Sequence, residues 1–244
     1  MLALSSPPGA SVASVRAGID EAAVRSGRRP SDVTLVAVSK TFPVEVIREA
    51  YEAGQKDFGE NRVQELAAKH AELGPEVRWH FVGRLQRNKV RQVVGTGAVV
   101  HSVDRLELAR EISLRAGHPV RVLLEVNVSG EAQKGGVEPG ELDRLTEGVL
   151  ELPGLELVGL MTMAPRVPYP ELTRPFFREL ARLREGLAAR YSASIHHLSM
   201  GMSQDYRVAV EEGATLVRVG ESIFGRRSPR QAREGQDQLG ESER

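Results

Sequence analysis

Cysteine is absent from the 244 residues, which excludes disulfides, thiol nucleophiles and cysteine-ligated zinc, although by itself it says little about compartment. Net charge is absent as well. Thirty-three Lys plus Arg balance thirty-three Asp plus Glu, so no general field draws in nucleic acid or an anionic membrane, and any anion must be caught by local geometry. No apolar run approaches the roughly 18 residues of a membrane span. The start, MLALSSPPGAS, has neither a basic n-region nor a sufficient h-region, and a cytoplasmic protein is expected. What is present, 27% charged and 41% hydrophobic residues in a chain long enough to bury a core, is the composition of an ordinary soluble globule.

Residues 11–26 carry Val12, Val15 and Ile19 at helical spacing and stop at Gly27, which predicts a leading helix. Eight short β-rich runs follow: 34–39, 56–60, 78–83, 98–102, 120–128, 155–161, 195–199 and 215–220. Helical patterns lie between them. Pro43 opens and Gly54 closes one bearing Val44, Ile47 and Tyr51, and Asp104 with Glu107 has the spacing of a capping box. The longest aligns Leu172, Phe176, Leu180, Leu183 and Leu187 on one face. Strand then helix, repeated, predicts an α/β fold: a (β/α)8 TIM barrel with an extra N-terminal helix and no second domain. A doubly wound open sheet is the alternative, since one sequence does not show closure. Residues 1–227 form the expected domain. Residues 228–244, with Leu239 as their single aliphatic residue, are expected to be a disordered tail.

In such a barrel chemistry gathers at the C-terminal ends of the strands. Lys40 follows the first run, Asn61 the second, Ser102 ends the fourth, Asn127 falls late in the fifth, and His80 lies within the third. An amine at the mouth of an apolar strand is partly desolvated, which lowers its pKa toward that of a nucleophile able to form a Schiff base. The plain alternative is a solvated turn lysine, and position alone does not decide between them. SMGMS (199–203) and RVGES (218–222) follow the last two runs, where barrels often hold a phosphate. Gly201 and Gly220 would let backbone approach an anion, and Ser203 would offer a hydroxyl, unless it simply caps the next helix. His196 and His197 are adjacent and lack a carboxylate cluster, so they read as core or rim residues rather than metal ligands. His101 and His70 have no evident partner. RLQRNKVR (84–91) reads as a solvated face, and Met161 and Met163 as core packing.

Seven segments in order, VAVSK, FGENRVQE, WHFVGRLQRNK, HSVDR, GLMTM, LSMGMSQDYRVAVEEG and VRVGESIFG, resemble the pyridoxal phosphate homeostasis protein family, single-domain relatives of the alanine racemase barrel, across residues 11–226. The resemblance implies a barrel that binds pyridoxal 5′-phosphate as an aldimine on Lys40. Arg218 would face the pyridine nitrogen, and Ser203 with the backbone of Gly220 and Glu221 would cradle the phosphate. Asn61 and His80 would line the pocket. An arginine only donates, so the ring nitrogen opposite it stays unprotonated and the ring is a weaker electron sink. The alanine racemases draw a second base, a tyrosine, from an added C-terminal domain for which this chain leaves no room. The expectation is therefore a non-enzymatic protein that holds the cofactor and releases it, with apo-enzymes that use it as recipients. It would bind no metal, nucleic acid or membrane and would be a monomer or weak homodimer. The competing expectation is a low-activity amino-acid racemase or Schiff-base lyase.

Overall fold

A computed structural model describes residues 7–131, 133–191 and 195–225. Eight parallel strands, β1 (Thr34–Val38), β2 (Asp57–Glu60), β3 (Arg78–Phe81), β4 (Val99–Val103), β5 (Val120–Glu125), β6 (Leu155–Met161), β7 (His197–Ser199) and β8 (Leu216–Val219), pair in sequence order into a closed barrel. Closure is made by β1 against β8, from Thr34 opposite Leu216 to Ala37 opposite Val219, and this removes the open-sheet alternative. All eight apolar runs contain strands, most of them a residue or more shorter at one end or both. The tail expected over 228–244 lies outside the described residues.

Helices α1 (Pro8–Arg25), α2 (Val44–Glu52), α3 (Val63–Leu73), α4 (Val90–Val94), α5 (Leu106–Arg115), α6 (Leu142–Leu150), α7 (Arg174–Tyr191), α8 (Tyr206–Glu211) and α9 (Glu221–Phe224) form the outer ring. Most of the apolar core lies between that ring and the barrel, and includes Leu35, Phe58, Phe81, Ile112 and Phe177. Each such side chain contributes about 1.5–3 kcal/mol by leaving water. Helix α1 buries Val12, Val15, Ile19 and Ala22 and packs on α2, α8 and α9. Inside the barrel the apolar cluster is small, Val36, Val99, Leu123, Met161 and Leu216. His80, His101, Ser199 and Arg218, from alternating inward positions on β3, β4, β7 and β8, are also buried.

Three local expectations are corrected. The long helix turns Phe177, not Phe176, fully inward, and Leu172 is exposed in a 3-10 turn, Pro170–Thr173, that precedes α7 and is out of phase with it. Asp104 and Glu107 make no capping box, because Arg105 stands at the N-cap and its guanidinium takes the Asp104 carboxylate at 2.5 Å. Met161 is core, but Met163, beyond the end of β6, is exposed.

Gly159 on β6 is where β7 comes closest: a Cβ there would lie 2.1 Å from the His197 carbonyl oxygen. Because backbone has to move to admit even a methyl group, Gly159→Ala is expected to cost about 3 kcal/mol. Urea unfolding would show this as a lowered midpoint with an unchanged slope.

Candidate functional site

At the C-terminal mouth, Lys40 is half-buried directly after β1 and the buried Ser39. The turn that carries it is held from below. Lys69 on α3, itself buried, donates from Nζ to the Ser39 carbonyl at 3.0 Å, to Glu60 Oε1 at 2.7 Å and to Glu65 Oε2 at 3.1 Å. Ser39 Oγ donates to the same Glu60 oxygen at 2.7 Å. The Thr41 amide donates to Glu65 Oε2 at 2.6 Å, fixing a β-branched residue at φ 69°, a conformation that persists only where surrounding structure imposes it. Burial pushes the Glu60 carboxyl up to about 7, against the pull of Lys69 and Ser39. This clamp was not read from the sequence. Its only local trace is the Glu65, Lys69 spacing of one helical turn.

Arg218 on β8 is buried, and among the described residues no carboxylate forms an ion pair with it. Nη1 donates to Ser199 Oγ at 2.5 Å and Nη2 to the Thr162 carbonyl at 2.8 Å, which leaves further N–H groups for a ligand. Burial lowers its pKa to about 10, with Glu125 and Asp205 opposing from a distance. From Ser199 a chain of hydrogen bonds runs down the barrel axis: Ser199 Oγ to His101 Nδ1 at 2.8 Å, His101 Nε2 to His80 Nδ1 at 2.9 Å, and His80 Nε2 to Asp57 Oδ1 at 3.1 Å. Burial would raise the Asp57 pKa, but hydrogen bonds from His80 and Arg78 outweigh it and hold the carboxyl at about 2. Asp57 is therefore an acceptor only, and His80 Nε2 carries a proton. Burial drives the pKa of His101 well below its ordinary value, so it is neutral. The contacts form an unbroken chain from Arg218 through Ser199, His101 and His80 to Asp57.

His101 thus has two partners that the sequence did not disclose, Ser199 being 98 residues away. His80, expected in the same pocket as Lys40, is placed instead in the wall of a cavity at the opposite, N-terminal mouth, together with Asp57 and Arg78. The loops after β7 and β8 form one unit, for the Arg218 amide donates to the Gly201 carbonyl at 3.0 Å and the Ser222 amide to Ser203 Oγ at 3.3 Å. Ser203 is not the N-cap of α8; Asp205 stands there. Gly220 abuts β1, since a Cβ on it would lie 3.0 Å from the Val38 oxygen, and Glu221 opens α9. Gly83 does the same for Asn61: a Cβ would meet the Asn61 oxygen at 2.1 Å. Asn127 ties the loop after β5, donating from Nδ2 to the Glu131 carbonyl at 3.1 Å.

Glu125, at the end of β5, was missed because it closes an apolar run. It is buried, and its carboxylate has no hydrogen-bond donor among the described residues. Burial, then Asp104, push it up to about 7, with Arg218 and Arg84 opposing. Three more buried polar atoms near strand ends on this side, Glu60 Oε2, Asn61 Oδ1 and Ser102 Oγ, have no hydrogen-bond partner among the described residues. Groups of this kind are costly unless something else satisfies them. Among the described residues no group of His, Asp and Glu could hold a metal ion, and no helix is long and apolar enough to cross a membrane.

A lysine after the first strand, an arginine without a carboxylate partner in the last, and joined loops after β7 and β8 define a barrel of the kind found in alanine racemases, and the family model for the alanine racemase N-terminal domain matches residues 14–228. A pyridoxal phosphate homeostasis protein of Aquifex aeolicus is 50% identical over 213 residues, 86% of this chain and 93% of its own. The solved structure of PipY from Synechococcus elongatus with PLP bound is 39% identical with a TM-score of 0.75, covering 85% of this chain and 100% of PipY. That of a Bifidobacterium adolescentis protein is 36% identical with a TM-score of 0.85, covering 89% and 94%. The chain belongs to the pyridoxal phosphate homeostasis protein family.

Glu125 has a folded pKa of about 7 against an ordinary 4.5, so the folded state binds the extra proton between those values and stability falls as pH rises through that window. Glu125→Gln mimics the neutral form. The variant and the parent are expected to be nearly equal in stability at about pH 4 and to diverge by about 3 kcal/mol in the variant's favour by pH 8, as measured by denaturant unfolding across pH.

Proposed function

We propose that the protein binds pyridoxal 5′-phosphate at the C-terminal mouth of the barrel, and holds and releases it rather than turning over a substrate. The observation that carries this reading is Arg218, a buried cation whose hydrogen-bond acceptors among the described residues are neutral, with N–H groups to spare. A neutral ring nitrogen offers the acceptor it lacks without bringing a second charge into the barrel. Lys40 would supply the amine that holds the cofactor's aldehyde, at a turn fixed by Lys69 and Glu65. Ser203 and the backbone at Gly220 and Glu221 take the phosphate, and Asn61 lines the ring; His80 acts through His101 and Ser199. The bound ring serves as an electron sink in enzymes that use it, and a donor-only arginine at its nitrogen blunts that capacity. Apo-enzymes as recipients and the cytoplasm as the compartment complete the proposal.

Glu125 favours the competing reading, a weak racemase. A carboxyl that titrates near neutrality at the mouth is a second acid/base group beside Lys40, and racemisation needs one on each face of the substrate carbon.

Two experiments test the proposal. After borohydride reduction of the loaded protein, mass spectrometry should place the phosphopyridoxyl group on the peptide containing Lys40. Lys40→Ala should lose both the label and the visible absorbance, whereas a label on another lysine would refute the assignment. With L-alanine, D-alanine should form at a rate far below the ordinary enzyme range of about 1–10³ s⁻¹. A rate within that range that Glu125→Gln abolishes would establish the racemase instead.

A further inference from the structure

At the N-terminal mouth, opposite the site above, the strand ends enclose a cavity of about 380 Å³ whose wall includes Thr34, Asp57, Arg78, His80, Arg121 and His197. That volume falls in the range of small-ligand pockets, roughly 300–1,000 Å³. Its one carboxylate is already engaged: Asp57 accepts from Arg78 Nε at 3.0 Å, from Arg78 Nη2 at 2.6 Å and from His80 at 3.1 Å. What remains toward the cavity is donors. Arg78 keeps Nη1. Arg121 is exposed and forms no ion pair among the described residues, although Glu156 is its register partner on β6. His197 meets Thr215 Oγ1 through Nδ1 at 3.1 Å, and its Nε2 is a donor when the Thr215 hydroxyl donates to Nδ1.

We propose that this cavity is a second binding site, for a small oxyanion such as a carboxylate or phosphate, and that its occupancy is transmitted along the axial hydrogen bonds to Arg218. Two guanidinium groups and an imidazole around a pocket whose own acid is spent are complementary to such a ligand. Transmission follows from how Asp57 is shared. An oxyanion that draws Arg78 toward itself leaves the Asp57 carboxylate to His80, and each bond in a chain of polarised donors adjusts with the one before it. The transmitted half of the proposal rests on the reading that Arg218 faces the cofactor; the binding half does not.

Histidine-labelled full-length protein, titrated separately with inorganic phosphate and with succinate, provides the test by NMR of the imidazole signals. Saturable shifts at His197 and His80 are expected with either anion, with Arg121→Glu weakening the apparent affinity by about tenfold or more. In the parent chain, saturating anion is expected to change the dissociation constant for pyridoxal 5′-phosphate by about threefold or more, and in Arg121→Glu to leave it unchanged. Phosphate competing at the upper mouth would act equally on both proteins, and succinate shares no phosphate group with the cofactor. No saturable shift, or a shift that survives Arg121→Glu, overturns the site. Saturable shifts with unchanged cofactor affinity overturn the transmission. Failure of the cofactor to bind at all refutes the functional reading alone, since the imidazole shifts still decide the lower site.

Discussion

Arg218 is a cation buried in the middle of a barrel, and most of the polar interior follows from having to keep it there. Removing a guanidinium from water costs several kcal/mol unless its donors are met. Here the direct acceptors are a serine hydroxyl and a backbone carbonyl. A carboxylate, Asp57, stands at the far end of the hydrogen-bonded chain. The interior consequently holds two histidines and a serine where a barrel of this size is usually packed with branched aliphatics. The apolar core has been displaced outward, to the layer between strands and helices.

The second constraint is positional. Lys40 sits on a turn whose next residue has a left-handed backbone, and that geometry is held by the buried Lys69 and the carboxylates of Glu60 and Glu65. A buried ion pair of this kind is weak evidence for stability but a good means of fixing one conformation. It defines where the amine stands before any ligand arrives, which lowers the cost of ordering it on binding. Gly83 against Asn61 and Gly220 against Val38 do the same with backbone contacts.

Much of this was legible in the sequence where the signal is local. Parallel strands buried on both faces read as continuous apolar runs, so all eight appeared, and the residue after each run pointed to the mouth that holds Lys40 and Asn61. The identity of partners was not legible. His101 finds His80 and Ser199 only because alternation on three separate strands turns them to one axis, and no spacing in the chain encodes that. Glu125 was masked by the apolar run it ends, and Lys69 by an amphipathic helix in which a lysine looks like surface. The slip from Phe176 to Phe177 arose because Leu172 was counted in phase with a helix that begins two residues later, at Arg174.

The continuity of the axial hydrogen bonds bears on how these positions change over generations. If His101 alone became an apolar residue, His80 Nδ1 and the Ser199 hydroxyl would each lose a buried partner. If Ser199 alone became alanine, Arg218 would lose an acceptor and His101 Nδ1 its partner. Drift one residue at a time is therefore blocked from either end, and lineages in which one member differs should differ at its neighbour as well. The inner residues of β3, β4, β7 and β8 are expected to change together, although Ser199 lies 98 residues from His101 in the chain.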